Sequence, residues 1–234
     1  MKIGIMQPYF FPYIGYFQLL NMVDKYLVFD DGLYANNKWA YRNRILINNA
    51  PGFFRLKLLK ASHDQRFYEI KISNDVEEKR KRIRSLECSY KKAPHYSEVM
   101  SVLEPFLTAD YDNLSECNVA SNRLVCNYLG IKTEILLSSE LNTDKTLKRQ
   151  YSIFEECRAL GGNEYINAIG GMKLYDFEEF RENGIELVFL KPDDIIYPQF
   201  GEEFVPNLSI IDVMMFNSVP EIQDMLNRYT LIKS

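Results

Sequence analysis

Residues 6 to 20, MQPYFFPYIGYFQLL, constrain the fold more than any other stretch of the chain. The residues before them, KIGIM, alternate as a short strand; a proline- and aromatic-rich turn stops that strand, and an apolar, helix-like run from about Gly15 to Val23 follows. A second strand pattern at Tyr26 to Phe29, ending in Asp30-Asp31, completes a βαβ opening. Open parallel sheets bind ligands at the carboxyl ends of their strands, so the bend after the first strand is the natural place for a site.

The rest of the chain repeats that grammar. Phe53 to Leu59 and Phe67 to Ile72 read as strands, and Ser73 or Asn74 is placed to cap a charged helix through DVEEKRKRIRSLECSYKK, with acids first and lysines last as the helix dipole favours. Helices at Tyr96 to Leu107 and Leu114 to Leu129, the latter stopped by Gly130, give a helical insert around 74–130. Strands at Thr133 to Leu137, Glu164 to Ala168 and Ile185 to Leu190 then alternate with helices at Leu147 to Leu160 and Tyr175 to Glu182. Two short helices, Ser209 to Phe216 and Pro220 to Arg228, finish the reading. The pattern predicts an α/β protein with a mostly parallel sheet flanked by helices. With 234 residues at 47% hydrophobic, one domain over 1–234 is expected.

Charge and cysteine usage narrow the partners. Lysine and arginine number 28 against 32 acids, a net charge of −4, which argues against nucleic acid as a partner. No apolar run approaches the roughly 20 residues of a membrane span, and no secretory signal pattern opens the chain, so a soluble, cytoplasmic protein without membrane insertion is expected. Cys88, Cys117, Cys126 and Cys157 are widely spaced, and only His63 and His95 could join them. Buried reduced thiols are expected, and no metal site.

A local positive patch stands out on this acidic chain. Between residues 36 and 60 lie Lys38, Arg42, Arg44, Arg55, Lys57 and Lys60 with no acid among them. Arg42 and Arg44, two apart on an extended segment, would project together and clamp a diphosphate or carboxylate, or else pair with Asp30 and Asp31. Trp39, the single tryptophan, either packs or stacks a sugar. Asp30 or Asp31, at a strand end, could bond a ribose or sugar hydroxyl or receive an ammonium group, although an Asp-Asp-Gly turn explains the same letters. Gly170-Gly171, followed by Lys173 and Tyr175, forms either an anion nest or a plain glycine turn. Ser209 and Asp212 fit a capping box; alternatively Ser209 meets a phosphate and Asp212 is a general base. His63 follows the basic segment and is the remaining catalytic candidate. No GxSxG, HExxH or GxxxxGK pattern supplies a covalent or phosphate-cradling centre.

The turn before the first helix reads Tyr13-Ile14-Gly15-Tyr16. One class of nucleotide-binding folds, which includes class I aminoacyl-tRNA synthetases and pantothenate synthetase, carries His-x-Gly-His there. Gly15 would let a nucleotide approach the backbone, and the helix N-terminus would face its phosphates. Tyrosine is neutral near pH 7 and cannot replace the charged histidine donors of nucleotidyl transfer. A nucleotide-sugar would fill such a HUP/Rossmann-like site as well as ATP.

Four segments, MQPYFFPYIGYFQLL, NNKWAYRNRILI at 36–47, INAIGGMKLY at 166–175 and FVPNLSIIDVMMFN at 204–217, together resemble the WbqC-like family and lie in its order. That resemblance implies a bacterial protein of O-antigen, lipopolysaccharide or related surface-polysaccharide biosynthesis, and transfer of a glycyl or other aminoacyl group to an amino sugar. The expectation is an amide-forming transferase acting on a nucleotide-linked amino sugar by direct transfer, with Gln7, Tyr9, Tyr13, Gly15, Tyr16, Lys38, Trp39, Arg42, Arg44, Gly170, Gly171, Lys173, Tyr175 and Ser209 as binding residues. Asp30, Asp212 and His63 are the catalytic candidates. Two alternatives stay open: nucleotidyl transfer or adenylation, which would need ATP with magnesium, and a noncatalytic nucleotide-sugar-binding or scaffold protein. A homodimer is also left open.

Overall fold

The computed structural model describes residues 1–147 and 150–233. Strand β1 (Lys2–Met6) leads through the proline bend into helix α1 (Ile14–Met22) and back into β2 (Lys25–Val28), as the opening pattern requires. An antiparallel hairpin follows, β3 (Arg42–Ile47) and β4 (Ala50–Arg55). Its two central residues, Asn48 and Asn49, have φ of +53° and +61°, the left-handed pair that a tight two-residue hairpin demands and asparagine tolerates. Three helices, α2 (Val76–Tyr90), α3 (Tyr96–Thr108) and α4 (Leu114–Leu129), come next. Then β5 (Glu134–Leu137), α5 (Gln150–Leu160), β6 (Glu164–Ala168), α6 (Phe177–Glu182) and β7 (Glu186–Pro192) alternate. Helices α7 (Ile210–Phe216) and α8 (Val219–Met225) precede the last strand, β8 (Tyr229–Lys233).

The main sheet has the order β5-β2-β1-β6-β7-β8. Its first five strands are parallel and β8 runs antiparallel to β7 at the edge. Both faces are covered because the strand residues alternate between two cores. Ile3, Ile5, Leu27, Tyr165, Leu187 and Phe189 pack with Phe154, Cys157 and Leu160 of α5 and with Phe180 of α6. Tyr26, Val28, Ile166, Val188 and Leu190 face the larger core, which takes in α1, α4, α7 and α8. Each fully buried Leu, Ile or Phe contributes about 1.5–3 kcal/mol.

Several sequence expectations are corrected. Phe67 to Ile72 is not a strand: Arg66 N–H donates to Glu69 Oε2 at 2.6 Å and closes a 3₁₀ turn, Phe67–Glu69, leaving a single bridge from Leu58 to Ile72. Asp75, rather than Ser73 or Asn74, caps α2, accepting from the Glu77 and Glu78 amides at 2.9 and 3.1 Å. Asn74 instead pairs with the Tyr111 backbone. The strand expected at Phe53 to Leu59 begins earlier and ends at Arg55. Cys88 is exposed, whereas the other three thiols are buried as expected. Strand β8 was not foreseen. The start expected for the fifth helix, Leu147, precedes α5 and is followed by residues 148 and 149, which lie outside the described residues. Among the described residues, no helix is long and apolar enough to cross a membrane.

Candidate functional site

The bend after β1 holds a conformation that its own sequence does not favour. Phe11 has φ of +40°, a left-handed setting that a bulky side chain adopts only when its surroundings impose it. Those surroundings are explicit. Phe11 is fully buried, edge-on against Phe10 and Phe106. Asn43 Nδ2 donates to the Phe10 and Phe11 carbonyls at 3.2 and 2.9 Å, and Ser209 Oγ donates to the Phe11 carbonyl at 2.7 Å. The Phe10 amide donates to the Trp39 carbonyl, and the Ile210 amide to the Pro12 carbonyl. Such strain costs about 1–3 kcal/mol. Several hydrogen bonds at about 1 kcal/mol each, together with the packing of the ring, offset it.

The fixed bend forms one wall of a cleft of about 380 Å³, lined by Tyr9, Pro12, Tyr13, Trp39, Asn43, Arg44 and Asn207. Trp39 is 42% exposed, so much of its ring faces outward rather than packing. Arg44 Nη2 donates to the Asn207 carbonyl at 3.0 Å, while its Nε is buried with no partner. Arg42 Nε is buried and unpartnered too, so that atom does not mark a site; the donors Arg44 keeps for an anion are its other Nη hydrogens, beside the exposed bond to Asn207. Tyr13 is the N-cap residue of α1 and offers no side-chain cap, so no side chain satisfies the amides at the positive end of that helix.

The structure sorts the other sequence candidates around this cleft. Arg42 does not join Arg44: its guanidinium carbon lies 4.0 Å from the centre of the Phe53 ring, and it does not line the cleft, so the expected two-arginine clamp is absent. Tyr16 is buried, its hydroxyl donating to the Gln7 carbonyl at 3.1 Å, which makes it a strut behind the bend rather than a ligand contact. Burial also pushes its hydroxyl pKa up. Gln7 Oε1 accepts from Asn37 Nδ2 at 2.6 Å. Gly15 is required for packing, since a Cβ there would overlap the Tyr13 ring and Pro192; the room expected for a nucleotide is already taken. Lys38 is exposed and lies outside the cleft lining.

A second lobe of about 230 Å³ shares Tyr13 and Asn207 with the first and is bordered by Asp193 and Asp194, which follow β7. Behind it sits Asp212, with no exposed surface. Its Oδ1 accepts from the Tyr197 hydroxyl at 2.7 Å and Gln199 Nε2 at 2.8 Å, and its Oδ2 from the Tyr90 hydroxyl at 2.8 Å. Burial pushes the carboxyl pKa up and the three donors pull it back, the upward effect being the larger. Ser209 Oγ accepts from the Ile211 amide at 3.3 Å as a helix cap should, but Asp212 does not return the bond, so the capping box is only half formed.

Asp30 and Asp31 lie at the carboxyl end of β2 as expected, but both are engaged. Asp30 accepts from Ser138 Oγ, from the Ser139 amide at 2.9 Å and from Ser139 Oγ at 2.7 Å. Asp31 pairs with Lys145 at 2.8 Å and also with the Ser138 hydroxyl, and neither aspartate meets Arg42 or Arg44. Close to Asp31, Glu156 is 2% exposed and its Oε2 has no hydrogen-bond partner. Burial, with Asp31 adding to it, pushes its carboxyl pKa up to about 8.

The remaining candidates stand apart from the cleft. His63 has a side chain 73% exposed beside Asp64. Gly170 and Gly171 sit in a 3₁₀ stretch, Ile169–Leu174, with no positive φ, so the alternating geometry of an anion nest is not formed. Lys173 is exposed. Tyr175 turns inward, its ring edge-on to Tyr165 and Phe180 and its hydroxyl 3.3 Å from that of Tyr165. Sequence reasoning missed Asn43, Asn207, Asp193, Asp194 and Glu156. The one signal for Asn207 was its own letter after Pro206, a turn pair, and its φ of +56° is a setting that asparagine tolerates better than most residues.

The arrangement is that of an α/β protein with an aromatic, arginine-bearing cleft beside the carboxyl edge of a mostly parallel sheet. The chain belongs to the WbqC-like protein family, whose model matches residues 7–224. It is 29% identical over 230 residues, 96% of this chain and 97% of the relative, to "Uncharacterized protein Rv1507c" of Mycobacterium tuberculosis (strain ATCC 25618 / H37Rv). No solved structure matches it.

Proposed function

We propose that the protein is a cytoplasmic transferase of surface-polysaccharide assembly that binds a nucleotide-linked amino sugar and forms an amide on its amine with a glycyl, aminoacyl or related acyl group. The observation that carries this reading is the Arg44 guanidinium, lining the cleft with one exposed Nη bond to Asn207, among Tyr9, Tyr13 and Trp39. A guanidinium suits a diphosphate, and flat aromatic walls suit a base or sugar ring. Asp193 and Asp194 in the adjoining lobe suit the amine at the other end of the same molecule. The reversal of strand order at β1 adds support, because doubly wound nucleotide-binding sheets place their ligands at such a reversal.

In the reaction the amine lone pair attacks the carbonyl carbon of an activated acyl donor, an acyl-adenylate or a thioester. The C–N bond forms as the bond to the donor's leaving group breaks, and the amine proton passes to the Asp194 carboxylate. Asp30 and Asp212, whose oxygens are already bonded, hold the scaffold in this reading. A noncatalytic carrier of the nucleotide-sugar is the second reading, favoured by the absence of Ser, Cys and His among the described residues that line the two lobes.

Incubation with a uridine-diphosphate amino sugar and a glycyl thioester, and in a second arm with glycine and ATP, with intact masses recorded, tests both. A product heavier by one glycyl group, lost in Arg44→Ala, is expected. Tight binding with unchanged masses would leave the carrier, and pyrophosphate without a glycylated product would point to nucleotidyl transfer.

A further inference from the structure

A separate hollow of about 450 Å³ lies where α4 meets the carboxyl ends of β2 and β5, and it shares no lining residue with the two lobes described above. Its α4 wall includes Ser115, Val119 and Arg123, which are spaced four apart and so share one helix face, about 12 Å long at 1.5 Å per residue. Asp30 and Ser139 border it from the strand ends, and Tyr68 and Tyr111 add aromatic surface.

One feature of this hollow is incomplete within the protein. Ser115 is 2% exposed and its Oγ has no hydrogen-bond partner, whereas native structures rarely leave a buried hydroxyl unpaired. Tyr111 is held in place, its hydroxyl donating to the Phe106 carbonyl at 3.1 Å and its ring packing on Phe106. Tyr68, on the short turn Phe67–Glu69, leaves 37% of its surface open. The charges select the ligand. Asp30 and Glu116 both border the space, and Arg123, its Nη2 donating to the Ile135 carbonyl at 3.1 Å, is the one cation among the lining residues. Two carboxylates repel a phosphate but accept hydrogen bonds from hydroxyl groups, and tyrosine faces pack on the apolar face of a sugar ring.

We propose that this hollow is a saccharide site: a pyranose ring lies against Tyr68 and Tyr111, and its hydroxyls bond Ser115, Glu116 and Arg123. Its volume falls in the range of small-molecule sites. The site stands independently of the reaction assigned to the Arg44 cleft.

The test is ligand-observed saturation-transfer NMR on the full chain with methyl α-D-glucopyranoside, D-galactose and N-acetylglucosamine, with a separate arm in which inorganic phosphate is titrated into the ¹⁵N-labelled protein and the amide signals are followed. At least one sugar is expected to receive saturation, with affinity at least tenfold weaker in Tyr68→Ala and in Ser115→Val and unchanged in Arg44→Ala. Because Tyr68 is partly open to solvent, Tyr68→Ala decides the matter if Ser115→Val does not fold. The site is refuted if no sugar responds, if phosphate alone shifts the Ser115 and Glu116 amide signals, or if sugar binding survives Tyr68→Ala.

Discussion

The Ser209 hydroxyl donates to the Phe11 carbonyl at 2.7 Å, joining residues 198 positions apart. Through this bond the cap of α7 also holds the left-handed residue of the bend, so a single side chain serves a helix end and a cleft wall. Ser209→Ala is expected to lower unfolding stability by about 1–2 kcal/mol in urea, the usual range for a lost cap and buried hydrogen bond. It should also weaken nucleotide-sugar binding about tenfold by calorimetry, because the Tyr9–Tyr13 wall loses a fixed point. Unchanged affinity would mean that the bend is held without Ser209.

Arg44 and Arg42 should behave differently. Arg44→Ala is expected to cost about 1.5–3 kcal/mol of nucleotide-sugar affinity, the range for a hydrogen bond to a charged group. Arg42→Ala should leave that affinity in place and remove only its stacking on Phe53, about 0.5–1 kcal/mol of stability. Equal losses of affinity in the two variants would restore the two-arginine clamp.

Asp212 is expected to be an anchor. Asp212→Ala strands the hydroxyls of Tyr90 and Tyr197 and the amide of Gln199, and should lower stability by about 3 kcal/mol or more in chemical denaturation. A variant of normal stability with abolished turnover would instead place Asp212 in the chemistry.

Glu156 gives a pH signature with a definite sign. Its carboxyl pKa rises from 4.5 to about 8 on folding, so between those values the native state holds a proton that the unfolded chain has released. Its contribution to stability is complete below pH 4.5 and is lost as pH rises toward 8, at about 1.4 kcal/mol per unit where the difference is full. Glu156→Gln should flatten that decline and melt higher than the parent at pH 8. A parent whose stability rises steadily from pH 5 to pH 8 while the variant's matches it would show that Glu156 is not the group responsible.

Much of the fold was legible because hydrophobic periodicity tracks burial. The strands β1 and β6 and the helix α4 fall at or within a residue of their expected bounds, and Gly130 takes the left-handed helix-stop role with φ of +75°. The turn at Phe67 was not, because Ile70 and Ile72, two apart and buried with exposed Lys71 between them, mimic a strand while Glu69 closes a local loop. Strand β8 is short, half-exposed and at an edge, so it carries little periodic signal. Of the cleft lining, Tyr9 and Tyr13 were singled out from the bend after the first strand, and Trp39 and Arg44 from the basic patch. Arg42 was misjudged because period-two spacing gives the side of a strand, not which neighbour on that side captures the guanidinium. Asn207 and Asp194 come from segments far along the chain, which only tertiary folding brings to the bend.

The sheet order lets each strand join an edge that already exists when it emerges from the ribosome: β2 beside β1, β5 beside β2, β6 on the free side of β1, then β7 and β8 outward. No pairing has to be undone to admit a later one, which suits growth from the N-terminus. The bend behaves otherwise, since Ser209 and Asn207 are translated late; a nascent chain stalled near residue 200 would carry most of its sheet without a closed cleft.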